Sequence, residues 1–369
     1  MIPFSCSVCG QLLFFHNTTC LRCASTLGYD PDRLALDALI EAGTTFDAGD
    51  DTDEPRAVKL DGDVAVSLVG LDDVTFRRCE NRRAVSCNWL VDERDDNPLC
   101  TSCRLTSIRP NDDDEAGLAG WADAELSKRR LIHQLTSLSL PIIDRAVDEE
   151  RGVTFEFLSS RNRSVTTGHA SGVITLDLSE SDDAHREFVR QQLGEPYRTV
   201  LGHLRHEIGH YYWPHLVEDA GRIDEFRALF GDERVSYEDA LAGHYADDPD
   251  EQETTWVDTH VSRYATMHPW EDWAETFAHY LHIQGGLETA ESFGLRLGEP
   301  VRSAAHEAFQ SDVDREIGPT IESWLALTLA LNGMSRSIGQ DDLYPFVLSD
   351  TVIEKLDFVH HAVSAAAVD

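Results

Sequence analysis

The chain has 369 residues, of which 67 are acidic and 31 basic, and its formal net charge is −36. This charge repels a phosphate backbone, so nucleic acid is not expected as a partner, although arginines cluster around the second group of cysteines described below. Hydrophobic residues make up 41% of the chain, which is enough for an ordinary core. No apolar run is long enough to cross a bilayer, and a membrane is not expected as a partner either.

All eight cysteines lie in the amino-terminal third and form two groups of four. The first group consists of two CxxC pairs, Cys6, Cys9, Cys20 and Cys23, and Gly10 after the first pair is typical of a zinc-knuckle turn. The second group has one irregular half and one CxxC pair: Cys79, Cys87, Cys100 and Cys103. The spacing predicts one structural zinc ion in each group. Sequential grouping closes the shorter loops, but a crossed pairing between the groups stays open.

The compartment follows from the same cysteines. Thiols that bind zinc must stay reduced, and no secretion signal precedes Cys6, so we expect a cytoplasmic protein.

The remaining elements can be predicted in chain order from periodicity and from breaks in composition. We expect a short helix at 30–42, a flexible acidic linker at 47–55, a helix at 118–138, strands at 152–158 and 173–178, helices at 223–230 and 235–243, an acidic loop at 247–253, and helices at 301–314, 319–332 and 350–366. The second strand is expected to be an edge strand. This order predicts an α+β fold, in which zinc-ribbon modules precede a small sheet and mostly helices. We divide the chain into a zinc-ribbon region at 1–110 and a second domain at 111–369.

The motif with the most chemistry is His206-Glu207-Ile208-Gly209-His210, an HExxH sequence inside the proline-free run 198–213, which predicts a helix. One helical turn separates the two histidines, so both leave the same face and can bind one metal ion. Such a metal polarises a water molecule, and Glu207 would take its proton as general base for attack on a peptide carbonyl. The motif therefore predicts a zinc peptidase with a peptide or protein substrate.

A hydrolytic zinc site needs a third protein ligand. The segment 268–282 predicts a helix, because Pro269 and acidic residues stand at its start. This segment resembles the second motif of glutamate-type zincins, or gluzincins. The resemblance implies Glu271 as the third ligand and Glu275 as the carboxylate that orients a zinc-bound histidine. The reverse assignment stays open, because both acids share one helical face, and Asp272 is expected to be solvated. The three sites together predict one catalytic and two structural zinc ions.

Several residues near the motifs could steady the oxyanion, and nothing in their spacing selects one. These are Tyr211, His244, Tyr245, Tyr264 and His268.

The chain as a whole resembles the bacterial zinc-binding metallopeptidases that have an N-terminal zinc-ribbon region. The matching segments are Cys6 to Gly10, Cys87 to Val91, Cys100 to Leu105, His206 to Trp213, His268 to Glu275, Asp342 to Leu348 and Lys355 to His360. They cover nearly the whole chain. The resemblance implies that 111–369 form a zincin-like metallopeptidase domain with His206, Glu207 and His210 in their usual roles, and it leaves the substrate unassigned.

Two functions from different classes remain. The first is a zinc-dependent peptidase whose ribbon region recruits a substrate or partner. The second is a non-catalytic, zinc-stabilised adaptor that binds peptides or acts as a regulatory protein. Glu207 favours the enzyme, because a site that only binds would not need a general base beside the metal.

Overall fold

The acidic segments predicted at 47–55 and 247–253 lie outside the residues that the structure describes. The computed structural model describes residues 2–44, 58–60, 62–71, 74–161, 164–193, 195–246, 254–308 and 315–367. The chain divides into two compact units. Unit 1 comprises Met1–Ser137, Ile142–Thr167 and Thr175–Asp182, and unit 2 comprises Leu138–Pro141, Gly168–Ile174 and Asp183–Asp369. The sequence predicts a domain boundary at residue 110. The division into two compact units does not test this boundary, which stays a prediction.

Unit 1 contains a short hairpin and a five-stranded antiparallel sheet. The hairpin is β1 (Phe4–Ser5) and β2 (Leu12–Leu13), and the sheet has the order β3 (Leu27–Asp30), β4 (Ala35–Glu41), β5 (Val66–Leu68), β6 (Phe76–Arg78) and β7 (Leu90–Asp92). One apolar cluster joins four of these strands through Leu39, Val66, Leu68, Phe76 and Leu90. Because the strands are short, this cluster is small.

The helix predicted at 30–42 is wrong. Residues 35–41 form β4, which pairs with β3 on one side and with β5 on the other. Alanine and leucine are good helix formers and suggested the helix. Pairing on both edges and burial of Leu36, Ala38 and Ile40 on one face override that local preference.

A second sheet contains β8 (Thr106–Ile108), β9 (Thr154–Leu158), β10 (Gly168–Ala170) and β11 (Val173–Asp177), in the order β10-β11-β9-β8. In unit 1, β8 and β9 are parallel, and helix α1 (Glu115–Ser137) packs on β9. The strands predicted at 152–158 and 173–178 are present. The prediction that 173–178 is the edge strand is wrong, because β10 lies outside it. Three residues without a β-branched side chain, Gly-His-Ala, gave no strand signal.

Unit 2 is mostly helical. Its helices are α2 (Asp183–Leu193), α3 (Val200–Trp213), α4 (Ile223–Phe230), α5 (Tyr237–Ala246), α6 (Pro269–Ser292), α7 (Glu299–Ala308), α8 (Gly318–Ser337) and α9 (Asp350–Ala366). A short π-helical turn, Pro214–Glu218, extends α3. Large aromatic side chains fill the core between α3, α4, α6 and α9: Trp213, Phe226, Phe230, Trp273, Phe277 and Phe358.

Helices α3 and α6 pack most closely at Gly209. A Cβ atom at this position would lie 3.1 Å from the Ala274 Cα and 3.2 Å from the Phe277 Cβ. Trp273 adds a hydrogen bond from its Nε1 to the Gly209 carbonyl oxygen at 2.8 Å. The small residue inside the HExxH motif therefore lets the two helices that bear the predicted ligands approach each other.

The predicted α+β fold class is confirmed, because a cysteine-rich region with short strands is followed by a mainly helical part. Among the described residues, no helix has the length and apolar composition that a bilayer span requires.

Candidate metal centres

The first cluster brings Cys6, Cys9, Cys20 and Cys23 together, with their sulfurs within 4.8 Å of one another. The Cys6 and Cys23 sulfurs are 3.8 Å apart, and those of Cys9 and Cys20 are 3.5 Å apart. A disulfide would need about 2.05 Å, whereas four sulfurs around one zinc stand about 3.8 Å apart. The separations therefore fit a tetrahedral zinc site.

Two equivalent turns shape this first cluster. Gly10 has φ +70° and donates its N–H to the Cys6 carbonyl at 2.8 Å, which agrees with the knuckle turn predicted there. Ala24 has φ +59° and makes the same bond to the Cys20 carbonyl, also at 2.8 Å. Both residues are in the left-handed region, which glycine adopts freely and alanine does not.

The second cluster brings Cys79, Cys87, Cys100 and Cys103 together, and all four are buried. The Cys87 sulfur lies 3.7 Å from the sulfurs of both Cys100 and Cys103. These distances again suit four thiolates around one zinc. The grouping is sequential in both clusters, so the crossed pairing that the sequence left open is not present in the structure.

Arg129 on α1 stands near the second cluster. It is 2% exposed, and one guanidinium nitrogen donates to the Val85 carbonyl at 3.1 Å. Burial acts to lower its pKa, but the negative charges of Cys87 and Cys103 raise the pKa above its ordinary value. Four thiolates would leave a zinc ion with excess negative charge, and Arg129 would offset part of it. No sequence pattern marks this residue, because it lies on a helix far from the cysteine spacing.

Five arginines around this cluster make contacts within the protein. Arg82 pairs with Asp63, Arg104 with Asp95 and Arg109 with Asp112. Arg77 and Arg78 donate to backbone carbonyls of Asp95 and of Leu60 and Gly62. Because these arginines have partners within the protein, less of their positive charge is available to bind a phosphate backbone.

The third cluster lies in unit 2 and joins His206, His210 and Glu271, whose ligand atoms lie within 4.8 Å of one another. Thr199 caps α3 by accepting the Gly202 N–H at 2.9 Å, and the two histidines follow on one face. Their Nε2 atoms are 3.2 Å apart. The Glu271 Oε2 atom lies 2.9 Å from the His206 Nε2 and 3.4 Å from the His210 Nε2.

The chemistry of these three atoms fits a cation. The Glu271 Oε2 atom is buried and has no hydrogen-bond partner among the described residues. The His206 Nδ1 lies 2.7 Å from the Glu275 Oε1 and donates to it, which leaves the His206 Nε2 lone pair facing Glu271. Ligand atoms on a tetrahedral zinc stand about 3.3 Å apart, close to the separations here. Three converging acceptors with one open position suit a catalytic rather than a structural zinc.

Glu275 lies on the other side of the His206 ring. Its second oxygen accepts the Ser262 hydroxyl at 2.6 Å. Burial acts to raise the pKa of Glu275, but the hydrogen bond from His206 lowers it to about 2. The carboxylate is therefore ionised and holds the imidazole in one orientation, as expected of a residue that orients a metal ligand.

Glu207 stands beside the cluster and is 8% exposed. Burial raises the pKa of Glu207 above its ordinary value. A carboxylate with a raised pKa is a stronger base than a solvated glutamate. Asp272, in contrast, was wrongly expected to be solvated: it is 1% exposed and pairs with Lys355 at 2.6 Å.

Three residues near this cluster were missed from the sequence. The Tyr237 hydroxyl donates to the Glu271 Oε1 at 2.8 Å, Ser262 bonds Glu275, and the His169 ring stacks parallel to that of His210 at 6.0 Å. Tyr237 and Ser262 come from the span 211–270, which appears in sequence as an insertion without a motif. His169 lies on the short strand β10, which carried no strand signal.

The oxyanion candidates separate once their contacts are known. The Tyr264 ring lies 5.8 Å from the His206 ring, so it remains near the cluster. His268 caps α6 and accepts the Trp270 N–H at 3.1 Å, and Tyr211 is 3% exposed and packs on Tyr212. The side chains of His244 and Tyr245 lie outside those that the structure describes.

Comparison with known proteins identifies the family. Residues 117–362 match the family described as "Putative zinc-binding metallo-peptidase", and residues 3–114 match a zinc-ribbon domain. The chain belongs to this metallopeptidase family, which confirms the resemblance stated from the motifs. Uncharacterized proteins of Mycobacterium bovis and of two Mycobacterium tuberculosis strains are 44% identical to it over 375 residues, which is 100% of this chain and 97% of each relative. No solved structure matches the chain.

Proposed function

We propose that this protein is a zinc-dependent peptidase, with His206, His210 and Glu271 as the zinc ligands and Glu207 as the catalytic base. The observation that carries the proposal is the convergence of three metal-binding atoms, one of them the partnerless Glu271 Oε2, next to a buried glutamate. The cysteine clusters would hold two further, structural zinc ions. The chain would thus bind one catalytic and two structural zinc ions.

Different residues of the chain would have different roles in hydrolysis. A bound zinc supplies a Lewis acid that polarises water and the scissile carbonyl. Glu207 takes a proton from the attacking water and returns it to the leaving amine. Glu275, itself held by Ser262, keeps the His206 ring turned so that its Nε2 faces the metal.

The ribbon region would recruit a peptide or protein substrate or partner. We do not expect nucleic acid as a partner, because the net charge is −36 and the arginines near the second cluster bond within the protein. Eight cysteines without a disulfide suit a reducing compartment, and we propose the cytoplasm.

The alternative is an adaptor that holds peptides without cutting them. The position of Glu207 favours the enzyme, because a buried carboxylate costs stability and a site that only binds has no use for it. The experiment that separates the two is incubation of the full chain with a diverse peptide library, for the natural protein, the Glu207→Gln variant and the Glu218→Gln control. Glu218 is an exposed residue outside the cluster.

We expect cleavage by the natural protein and the control, and loss of about 10³-fold or more in rate with Glu207→Gln, as removal of a general base predicts. Equal cleavage by all three proteins would remove Glu207 from the mechanism. Cleavage by none, with the third zinc bound, would favour the adaptor.

The ligand assignment has a test that needs no substrate. Elemental analysis should give three zinc ions per chain for the natural protein and two for Glu271→Ala. Glu275→Ala should keep the third zinc with about 10- to 100-fold weaker affinity. If Glu275→Ala lost the zinc and Glu271→Ala kept it, the two roles would be exchanged.

A further inference from the structure

The two oxygens of Glu271 have separate partners. Oε2 faces the Nε2 atoms of His206 and His210, while Oε1 accepts the Tyr237 hydroxyl at 2.8 Å. The Tyr237 hydroxyl donates its hydrogen to the carboxylate. Tyr264, which also forms a hydrogen bond with Tyr237, must therefore donate its own hydroxyl hydrogen to the Tyr237 oxygen. The hydroxyl of Tyr237 therefore selects which carboxylate oxygen is left for a metal.

Helix α5, which begins at Tyr237, is weakly packed over its described side chains, at 237–243. None of these is fully buried, and only Tyr237, Ala240 and Leu241 are half-buried, whereas the preceding helix α4 buries Phe226 and Phe230 completely or nearly so. A helix of ten residues with so small an apolar face is marginal in water. Two contacts fix the start of α5: the Tyr237 ring lies 5.2 Å from that of His268, and the His268 Nε2 donates to the Val235 carbonyl at 3.2 Å.

Both attachments lead to the first turn of α6, where Glu271 stands. We propose that Tyr237 is a positioning residue that couples the docking of α5 to metal binding by Glu271. The Tyr237 hydroxyl orients Glu271 toward the metal. A bound metal in turn holds the Glu271 Oε1 where it can accept the Tyr237 hydroxyl. Such coupling is reciprocal, so each event strengthens the other by the same factor. The inference rests on the metal centre of the proposed function, but not on peptide cleavage.

The first measurement is zinc affinity at the third site, by competition with a chromophoric chelator, on the full chain with both cysteine clusters loaded. Loss of a hydroxyl that orients a ligand weakens zinc binding by about 10- to 100-fold. We expect this loss in Tyr237→Phe and a smaller one in Tyr264→Phe. Tyr280→Phe is the matched control, because its hydroxyl bonds His360 at 3.2 Å and not the carboxylate, and it should bind zinc as the natural protein does.

The second measurement distinguishes coupling from a merely structural role. Amide hydrogen exchange at 238–243 should slow when zinc fills the third site of the natural protein, by the factor that Tyr237→Phe loses in affinity. In Tyr237→Phe the exchange should be fast with or without zinc. With cobalt(II) in the third site, the variant should also absorb visible light more weakly, because a freed Glu271 can offer both oxygens and raise the coordination number.

Two outcomes would overturn the inference: unchanged zinc affinity in Tyr237→Phe, or exchange at 238–243 that slows with zinc equally in both proteins. In either case the metal centre and the peptidase proposal would stand. A natural protein that binds only two zinc ions would overturn the metal centre and, with it, this coupling. Slow amide exchange in α3 and α6 of Tyr237→Phe, equal to that of the natural protein, verifies that unit 2 of the variant is folded.

Discussion

The cysteine clusters of unit 1 and the histidine–glutamate cluster of unit 2 are built in opposite ways. In unit 1, the cysteines stand on turns next to strands of two to seven residues. In unit 2, the ligand atoms stand on α3 and α6, helices of 14 and 24 residues that pack around large aromatic side chains. We therefore expect the structure around the cysteine clusters to depend on bound metal more strongly than α3 and α6 do.

The number of donors follows the same division. Four cysteines complete the coordination of zinc and leave no position for a reactant, whereas two histidines and one glutamate leave one. A bound metal would therefore stabilise the fold in unit 1, whereas in unit 2 it would keep one position open to a reactant. The predictions below test this division, beginning with the largest expected effect.

The largest effect should follow loss of a buried cysteine ligand. In Cys100→Ser, the second cluster loses zinc, and binding of a structural zinc contributes about 10 kcal/mol or more to folding. We expect amide exchange to become fast throughout the described part of unit 1 and to stay slow in α3 and α6. Hydrogen exchange with mass spectrometry on the full chain would measure both regions at once.

The matched variant for unit 2 is His210→Ala, which removes the third zinc. Exchange in α3 and α6 should remain slow outside the immediate cluster, because the aromatic core does not depend on the metal. Global unfolding of unit 2 in this variant would contradict the expectation that its core is independent of the metal. A folded unit 1 in Cys100→Ser would contradict the expectation that unit 1 depends on its zinc.

The next effect concerns a buried ion pair that ties α9 to α6. The Lys355 Nζ lies 2.6 Å from the Asp272 Oδ2 and 2.7 Å from the Thr259 carbonyl oxygen, and both charged side chains are at most 3% exposed. Lys355→Met leaves the Asp272 charge without its cation, and breaking a buried pair costs about 3–5 kcal/mol. Chemical denaturation of unit 2 should show this loss with the third zinc still bound.

The double variant Lys355→Met, Asp272→Leu is the control. Replacing a buried pair by apolar side chains is often neutral or stabilising. Stability should therefore return toward that of the natural protein. If the double variant were as unstable as the single one, the loss would come from packing of the lysine stem and not from the stranded charge.

A pH effect on the stability of unit 1 should follow from one buried histidine. His133 on α1 accepts the Tyr29 hydroxyl at its Nδ1, at 2.6 Å, and burial lowers its pKa from 6.5 to about 4. The folded state binds the proton less readily than the unfolded state does. This contribution to stability is complete above pH 6.5 and is lost as the pH falls toward 4, with a total of about 3 kcal/mol.

His133→Gln keeps an acceptor for Tyr29 but does not titrate, so its stability should fall less steeply than that of the natural protein between pH 6.5 and 4. Denaturation midpoints of unit 1 at several pH values, with zinc in constant excess, would measure the difference. Protonation of the cysteines acts on both proteins and cancels. Parallel pH profiles would mean that the histidine is not neutral in the folded state.

Residues whose chemistry depends on short spacing could be predicted from the sequence. The CxxC pairs and the HExxH turn place their side chains together through local geometry, and the capped helix at 269 could be recognised from Pro269 and its acids. What the sequence could not give is the partners that come from distant elements. Tyr237, Ser262 and Arg129 reach the metal sites through tertiary packing, and nothing in their local pattern marks them.

The errors have the same physical origin. Residues 35–41 contain good helix formers, but strands on both sides recruit them into a sheet. Asp272 stands in the first turn of a helix, where acids are usually solvated, and only the position of Lys355 on α9 explains its burial. Local preference decided these predictions, and long-range contacts decided the structure.

The smallest effect tests the first cysteine cluster through a pair of matched turns. Gly10 and Ala24 both have positive φ, at +70° and +59°, and both donate to the carbonyl of the cysteine four residues earlier. The left-handed conformation destabilises alanine by about 1–2 kcal/mol, whereas glycine costs about 0.5–1 kcal/mol in chain entropy on folding. Ala24→Gly should therefore stabilise unit 1 by about 0.5–1 kcal/mol. Ala24 is exposed, so no packing is lost.

Gly10→Ala should have the opposite sign. A Cβ at position 10 meets no atom within 4 Å, so only the backbone conformation opposes the change. Zinc-saturated thermal unfolding of unit 1 would rank the three proteins as Ala24→Gly, natural protein and Gly10→Ala, from most to least stable. Two shifts of the same sign would contradict the equivalence of the turns. Opposite shifts, with the third zinc bound equally in all three proteins, would localise the effect to the first cluster and leave the open site of unit 2 untouched.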